Sequence, residues 1–156
     1  MAATKGNDMS FSKLYLASDH GGLTFKAAIL AHLEAQNIVV EDCGPHDGAS
    51  VDYPDYAERL ALALRDDAGA GGILICGSGI GISIAANRHS WVRCALAHDE
   101  TTARLCREHN DANVLALGER VIGLATALAC VDRFVETAFE GGRHQKRVEK
   151  LTALPK

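Results

Sequence analysis

Apolar and polar positions follow two different rhythms along this chain. Short apolar runs, typical of buried strands, are each followed by a stretch in which apolar residues recur every three or four positions, as on one face of a helix. The runs predict five strands, at residues 13–18, 38–42, 72–76, 92–97 and 113–117. The stretches predict helices at residues 23–36, 54–67, 82–87, 100–110, 121–139 and 143–151.

This alternation of strands and helices is typical of an α/β fold in which a parallel sheet is covered by helices on both faces. We expect a three-layer, Rossmann-like α/β/α sandwich with five parallel strands, whose order the sequence leaves open. Residues 13–156 are predicted to form this single domain, and residues 1–12 a disordered leader. A length of 156 residues and an apolar fraction of 47% fit one globular domain.

The segment after the third strand carries the strongest chemical signal. Cys76 ends the strand, and Gly77, Gly79 and Gly81 follow at alternate positions. Glycines allow a sharp turn and close approach to a ligand, and the N–H groups of such a turn can hold a phosphate or a developing oxyanion. Cys76 would then act as a nucleophile or a proton acceptor. The alternative is an ordinary strand-to-helix turn with a buried cysteine.

This glycine loop lacks the residues that define better-known motifs. A Walker loop needs a lysine, and the loop has none. A dinucleotide-binding loop needs a glycine where Ile82 stands. A serine elbow needs glycines two residues on either side of the serine, whereas the glycines beside Ser78 are adjacent to it. These comparisons exclude three common nucleotide-binding and hydrolytic motifs.

Charge and hydropathy exclude further classes of function. A net charge of −4 argues against binding of nucleic acid. No apolar run is long enough to span a bilayer, and the N-terminal residues lack the apolar core of a signal peptide. We therefore expect a cytoplasmic protein without a membrane partner. Residues 141–150 concentrate lysine and arginine, so this basic tail can bind an anionic ligand.

The cysteines indicate free thiols. Their number is five, and no pair has the C-x-x-C spacing of a zinc or redox site. We therefore expect no disulfide and no bound metal. Only Cys76 has surroundings that suggest chemistry, and the others are predicted to lie in the core, in a helix or in a turn: Cys43, Cys94, Cys106 and Cys130.

Other chemical groups are predicted at the same edge of the sheet as the glycine loop. Asp19 and His20 directly follow the first strand, and ligands bind beyond the carboxyl ends of parallel strands. A carboxylate and an imidazole there can move protons or bind hydroxyl groups. The alternative is that Asp19 caps the next helix and His20 has no role. Residues 98–99 and Arg120 are expected at this edge too.

His109 is predicted at the opposite edge, because it ends a helix and precedes the fifth strand. A five-residue strand spans roughly 15–17 Å, so His109 should not reach Cys76 of its own subunit. The basic tail has the same difficulty, since it follows the last long helix. These residues are therefore either solvated surface or contributors to the active site of a partner subunit.

Five sequence blocks occur in order along the chain: SDHGG, DYP, LICGSGIGISIAAN, REHNDANVLALGER and EGGRHQKRVEK. With these blocks the chain resembles the type B ribose-5-phosphate isomerases, which form one family with galactose- and allose-6-phosphate isomerases. The resemblance extends over about residues 13–151. Ser78 stands where many members have threonine. A second branch has a glutamate base at the position of Ile82 and lacks the cysteine, so the chain resembles the cysteine branch.

The resemblance implies the activity and the assembly. It implies interconversion of ribose 5-phosphate and ribulose 5-phosphate through an enediolate, a step of the pentose phosphate pathway, without metal or cofactor. It also implies a homodimer with active sites shared between subunits, and it leaves a tetramer open. Such sharing would account for the placement of His109 and of the basic tail.

The resemblance also implies roles for individual residues. Cys76 aligns with the base, His109 with the group that opens the furanose ring, and Asp19 and His20 with sugar-hydroxyl and ring-opening contacts. The loop that holds the enediolate corresponds to Gly77, Ser78, Gly79, Ile80 and Gly81. The substrate and phosphate ligands correspond to Asn110, Arg120, Arg143 and Arg147.

Three alternatives stay open at this stage. The same chemistry on a hexose 6-phosphate would use similar loops. A phosphosugar-binding regulatory protein would keep the arginines and the glycine loop but would not need Cys76 or His109, so their joint presence favours catalysis. A redox-sensing thiol protein is less well supported, because no resolving cysteine lies near Cys76 in sequence.

Overall fold

A parallel sheet of five strands forms the centre of the protein. The computed structural model describes residues 9–154. The strands are β1 (Leu14–Ser18), β2 (Val40–Asp42), β3 (Gly71–Cys76), β4 (Cys94–Leu96) and β5 (Val114–Gly118), in the spatial order β2-β1-β3-β5-β4. The helices are α1 (Leu23–Ala35), α2 (Tyr53–Arg65), α3 (Ile80–Ala86), α4 (Glu100–Asn110), α5 (Leu124–Glu136) and α6 (Gln145–Thr152). None of the helices among the described residues has the length and apolarity needed to cross a membrane.

The central strand β3 shows why the sheet is covered on both faces. All six of its residues are buried, and its side chains alternate between two clusters. Ile73 and Ile75 pack in the cluster formed with α1, α4 and α5, whereas Leu74 and Cys76 pack in the cluster formed with α2 and α3. The predicted three-layer α/β/α sandwich with a parallel five-stranded sheet is therefore confirmed.

The structure corrects the ends of several predicted elements. The strands predicted at residues 38–42 and 92–97 are shorter, because each lies at an edge of the sheet and pairs with one neighbour only. The helix predicted at residues 82–87 begins at Ile80, directly after the loop. The helix predicted at residues 121–139 is α5, which begins only at Leu124. Its start is later because the N–H groups of Val121 and Ile122 donate to the carbonyl of Gly118 and complete a turn first.

The packed domain begins before the predicted boundary at Lys13. The Ser10 N–H donates to the carbonyl of Val135 at 3.0 Å, and the ring of Phe11 stacks on that of Phe134 with centroids 5.1 Å apart. Phe11 is buried. Residues 9–12 are thus part of the folded domain, contrary to the predicted leader of residues 1–12. The rest of that leader lies outside the described residues.

Candidate active site

The thiol of Cys76 lies at the centre of the glycine loop. Cys76 ends β3 opposite Gly118 of β5, and only 4% of its surface is exposed. The N–H of Gly79 donates to Sγ at 3.0 Å. Gly79 has φ = 78°, and a Cβ there would lie 2.6 Å from Leu96 Cδ1 and 2.9 Å from the carbonyl carbon of Leu117. Only glycine can therefore turn this N–H back toward the sulfur, an arrangement that suits negative charge on that atom.

The first residues of the loop present donors to any ligand near the thiol. Within residues 9–154, the N–H groups of Gly77 and Ser78 have no protein acceptor. The Ser78 hydroxyl accepts from the N–H of Ile80 at 3.2 Å, so its own proton remains able to donate outward. Helix α3 is short, so these individual groups, more than a macrodipole, would stabilise an oxyanion.

The other cysteines are less suited to act as bases. Burial is the main cause that raises the pKa of Cys43, Cys106 and Cys130 to about 11 and raises the pKa of Cys94 further. These thiols therefore stay protonated near neutral pH. All five cysteines are free, as predicted. Among them, Cys76 alone has a backbone N–H directed at its sulfur in the described residues.

Asp19 and His20 lie beside the loop, because β1 and β3 are neighbours in the sheet. The Asp19 carboxylate accepts from the N–H of Gly21 at 2.8 Å and thereby caps the short 3₁₀ turn that leads into α1. The predicted capping role and a role toward a ligand are compatible, because one oxygen serves the cap. His20 is exposed, and its Nδ1 lies 3.1 Å from both the backbone N and O of Val51.

Arg120 completes this edge from the other side, because β5 is the second neighbour of β3. Its N–H donates to the carbonyl of Gly77 at 2.9 Å, and its guanidinium lies alongside the same glycine. The side chain is exposed. The strand order therefore brings Asp19, Cys76 and Arg120 together at the carboxyl edge.

The remaining predicted residues lie at the other end of the sheet. His109 and Asn110 end α4, and the chain then enters β5 at Val114, whereas Cys76 pairs with the last residue of β5. Arg143 and Arg147 are exposed in the segment that follows α5. The strand thus separates this amino-edge group from the thiol of the same chain, as predicted.

Comparisons with known proteins decide the family. The model of the Ribose/Galactose Isomerase family matches residues 14–151. Ribose-5-phosphate isomerase B of Escherichia coli (strain K12) is 46% identical over 142 residues, which is 91% of this chain and 95% of that protein. The chain belongs to the ribose/galactose isomerase family.

Solved structures of this family share the fold closely. Ribose-5-phosphate isomerase B of Clostridium thermocellum has a TM-score of 0.88 and 47% identity, covering 90% of this chain and 95% of that one. The enzyme of Mycoplasma genitalium, solved with bound ribulose 5-phosphate, has a TM-score of 0.88 and 43% identity, covering 93% and 96%. The resemblance stated from the sequence is thereby confirmed, and with it the class of aldose–ketose isomerase.

The structure of this family member also reveals a neighbour of the loop to which the sequence assigned no role. The ring of Tyr53 lies so close to Gly81 that a Cβ there would be 2.6 Å from Tyr53 Cζ. Tyr53 is partly exposed, at 40%, so its ring forms part of the rim of the site. The signal was the block DYP, which matched the family without suggesting a function.

Proposed function

We propose that this isomerase interconverts ribose 5-phosphate and ribulose 5-phosphate. The observation that carries the proposal is the thiol of Cys76 beneath the Gly79 N–H, with the free N–H groups of Gly77 and Ser78 beside it. The names of the E. coli and M. genitalium relatives supply the substrate. Substrate in the same place would meet a base and a set of oxyanion donors together.

The isomerisation needs one proton to move between adjacent carbons. As a thiolate, Cys76 would take the proton from C2 of the open-chain aldose, and the electron pair would form the C1–C2 double bond of an enediolate. Its oxygen would be held by the N–H groups of the loop residues 77–81 and by Ser78. Return of the proton to C1 gives the ketose. One such donor typically lowers the barrier by roughly 2.7–4 kcal/mol.

Ring opening must come before this step on the aldose side. An acid must supply a proton to the ring oxygen while the C1–O bond breaks, and the C1 hydroxyl must lose its proton. We assign the first role to His109, with Asp19 and His20 contacting the sugar hydroxyls. Asn110, Arg120, Arg143 and Arg147 would hold the substrate and its phosphate, whose binding energy positions the reacting carbons.

These roles require His109 of one subunit to meet Cys76 of another, so we propose a homodimer. Two apolar surfaces support it. Ile80 and Ile84 are one turn apart on α3 next to the loop, and they are 53% and 61% exposed. A cavity of about 510 Å³ lies beside Asn110, lined in part by Leu151 and Leu154. A second copy that brings its His109 to the loop would place this cavity near α3, and two-fold symmetry would repeat the contact.

The substrate assignment is tested by an assay with three sugars. Purified protein is expected to convert ribose 5-phosphate to its ketose faster than it converts allose 6-phosphate or galactose 6-phosphate. The rate should be unchanged in the presence of a chelator, because the proposed steps use only side chains and backbone groups. Preference for a hexose phosphate would reassign the substrate. Activity lost in chelator and restored by a divalent metal would contradict the proposed chemistry.

Replacing His109 by asparagine is expected to separate ring opening from proton transfer. Conversion of ribose 5-phosphate should fall about 10²-fold or more, the usual contribution of an acid–base group. Exchange of the C1 hydrogen of ribulose 5-phosphate with solvent deuterium should change little, because this ketose has no furanose ring to open. The two rates can be followed by NMR in one sample. Equal losses in both would contradict the role of His109.

A further inference from the structure

A second histidine lies against His109 and has no role in the proposed mechanism. The ring of His144 stacks on that of His109, with centroids 4.3 Å apart and planes inclined by 14°. His144 is buried, with 5% of its surface exposed, although it belongs to the basic tail. Its Nε2 atom is buried without a hydrogen-bond partner in residues 9–154, and the nearest carboxylate oxygen, of Glu140, is 3.5 Å away.

The stack is held by contacts that join the tail to the end of α4. The guanidinium of Arg107, itself buried, donates to the carbonyl of Thr137 at 3.2 Å. The N–H of Glu140 donates to the carbonyl of Glu108 at 3.1 Å. The N–H of His144 then donates to the carbonyl of Gly141 at 2.9 Å, closing the turn that returns the chain to His109. The two imidazoles are thus fixed to one rigid frame.

We propose that His144 is a positioning residue for His109: its buried ring stacks on the His109 imidazole and fixes the direction in which that imidazole faces the substrate. The proposal rests on the proposed role of His109 in ring opening. A half-buried histidine at the last turn of a helix would otherwise have several side-chain orientations. Holding one of them in advance favours the geometry that the proton transfer needs.

The same three side chains fit a metal ion less well. Ligand atoms of His109, Glu140 and His144 lie within 4.8 Å of one another. A metal bound to imidazole lies in the plane of the ring, however, and two nearly parallel stacked planes do not meet at one ion. Arg143 and Arg147 add positive charge next to His144. The stacked arrangement therefore favours a role for the rings as a pair.

The charge around His144 is consistent with a neutral ring. Burial, then the positive charges of His109 and Arg143, lower the pKa of His144; Arg147 acts in the same direction and Glu140 opposes. A neutral ring can stack on a protonated His109, whereas two imidazolium ions face to face would repel. Because the folded-state pKa is lowered, the unfolded chain takes up the proton first as pH falls. The contribution of His144 to stability is therefore present above its ordinary pKa of about 6.5 and decreases below it.

Two substitutions test the proposal. His144→Ala removes the stacked ring, and His144→Phe keeps a flat ring without charge or hydrogen bonding. We expect His144→Ala to lower conversion of ribose 5-phosphate about 10–100-fold, the scale of a misplaced catalytic group, and to leave C1 exchange of ribulose 5-phosphate near wild type. His144→Phe should recover most of the loss. It should also show a smaller decrease in Tm than wild type between about pH 7.5 and 5.5. Gln145→Ala, in the next position, is the matched control.

A structural measurement separates this proposal from the proposed function. The ring resonances of His109, followed by NMR in histidine-labelled protein, should shift in His144→Ala and stay near wild type in His144→Phe. Unshifted resonances in His144→Ala would overturn the proposal whatever the substrate. So would shifted resonances with unchanged conversion. If both variants raise KM for aldose and ketose alike, and exchange falls in parallel, His144 binds substrate and does not position His109. If instead His109→Asn has no effect, the proposed role of His109 fails, although the stack is present.

Discussion

Replacing Cys76 by alanine is expected to abolish turnover in both directions, by about 10²–10⁴-fold, the usual contribution of an acid–base group. The physical reason is that the thiol alone lies next to the donors of the loop and beneath the Gly79 N–H. Removal of the base should stop enediolate formation itself. Exchange of the C1 hydrogen of ribulose 5-phosphate with deuterium should therefore be lost together with turnover, unlike in His109→Asn.

A matched control separates this effect from general damage by loss of a thiol. Cys43 is half-buried in a loop, and its thiol has a pKa raised to about 11, mainly by burial. Cys43→Ala is expected to retain wild-type turnover and exchange. Circular dichroism and Tm would show that both variants are folded. A Cys76→Ala protein with near-normal exchange would remove this cysteine from the mechanism.

Mixing two inactive variants is expected to restore activity. In a dimer of one Cys76→Ala chain and one His109→Ala chain, one shared site would contain both intact residues and the other would contain neither. Random reassortment makes about half of all dimers mixed, so about a quarter of wild-type activity should return, by the symmetry of an isologous dimer. The activity is measured after unfolding and refolding the mixture, which allows the subunits to exchange.

The control for this experiment uses two residues from the same edge of the sheet. Asp19 and Cys76 are brought together within one chain, since they follow neighbouring strands. If Asp19→Asn is inactive, mixing it with Cys76→Ala should restore nothing, because every site in a mixed dimer lacks one of the two groups. Recovery in this control would show that Asp19 and Cys76 come from different chains. No recovery in the first mixture, with mixed dimers demonstrated by mass spectrometry, would place the complete site in one chain.

Much of the fold could be predicted because its signals are local. The spacing of Phe25, Ile29 and Leu33 predicted the buried face of α1, and all three are buried. The run that ends at Cys76 predicted a buried strand, and β3 is buried throughout. Edge strands and helix ends were predicted less well, because pairing with a single neighbour and turn hydrogen bonds decide where they stop. The turn at residues 118–123, which delays α5, is one example.

Buried polar contacts were not predictable. Lys26 lies on the apolar face of α1 and is buried, where its ammonium donates to the carboxylate of Asp42 at 2.8 Å and to the carbonyl of Pro45 at 2.5 Å. A lysine in a helix is ordinarily assigned to the solvent face. The burial of His144 was equally hidden by its position in a basic tail. Both depend on partners distant in sequence or on a turn that returns the chain.

The sequence by itself determined that strands and helices alternate, that the glycine loop follows a buried strand at Cys76, and that His109 ends a helix. These follow from the periodicity of neighbouring residues and from the conformational freedom of glycine. The tertiary structure alone decided the strand order, which places β1 and β5 on either side of β3 and so brings Asp19 and Arg120 to the thiol. It also decided the stack of His144 on His109. Strand pairing and side-chain stacking join residues distant in the chain, and local periodicity carries no record of which distant partner each will meet.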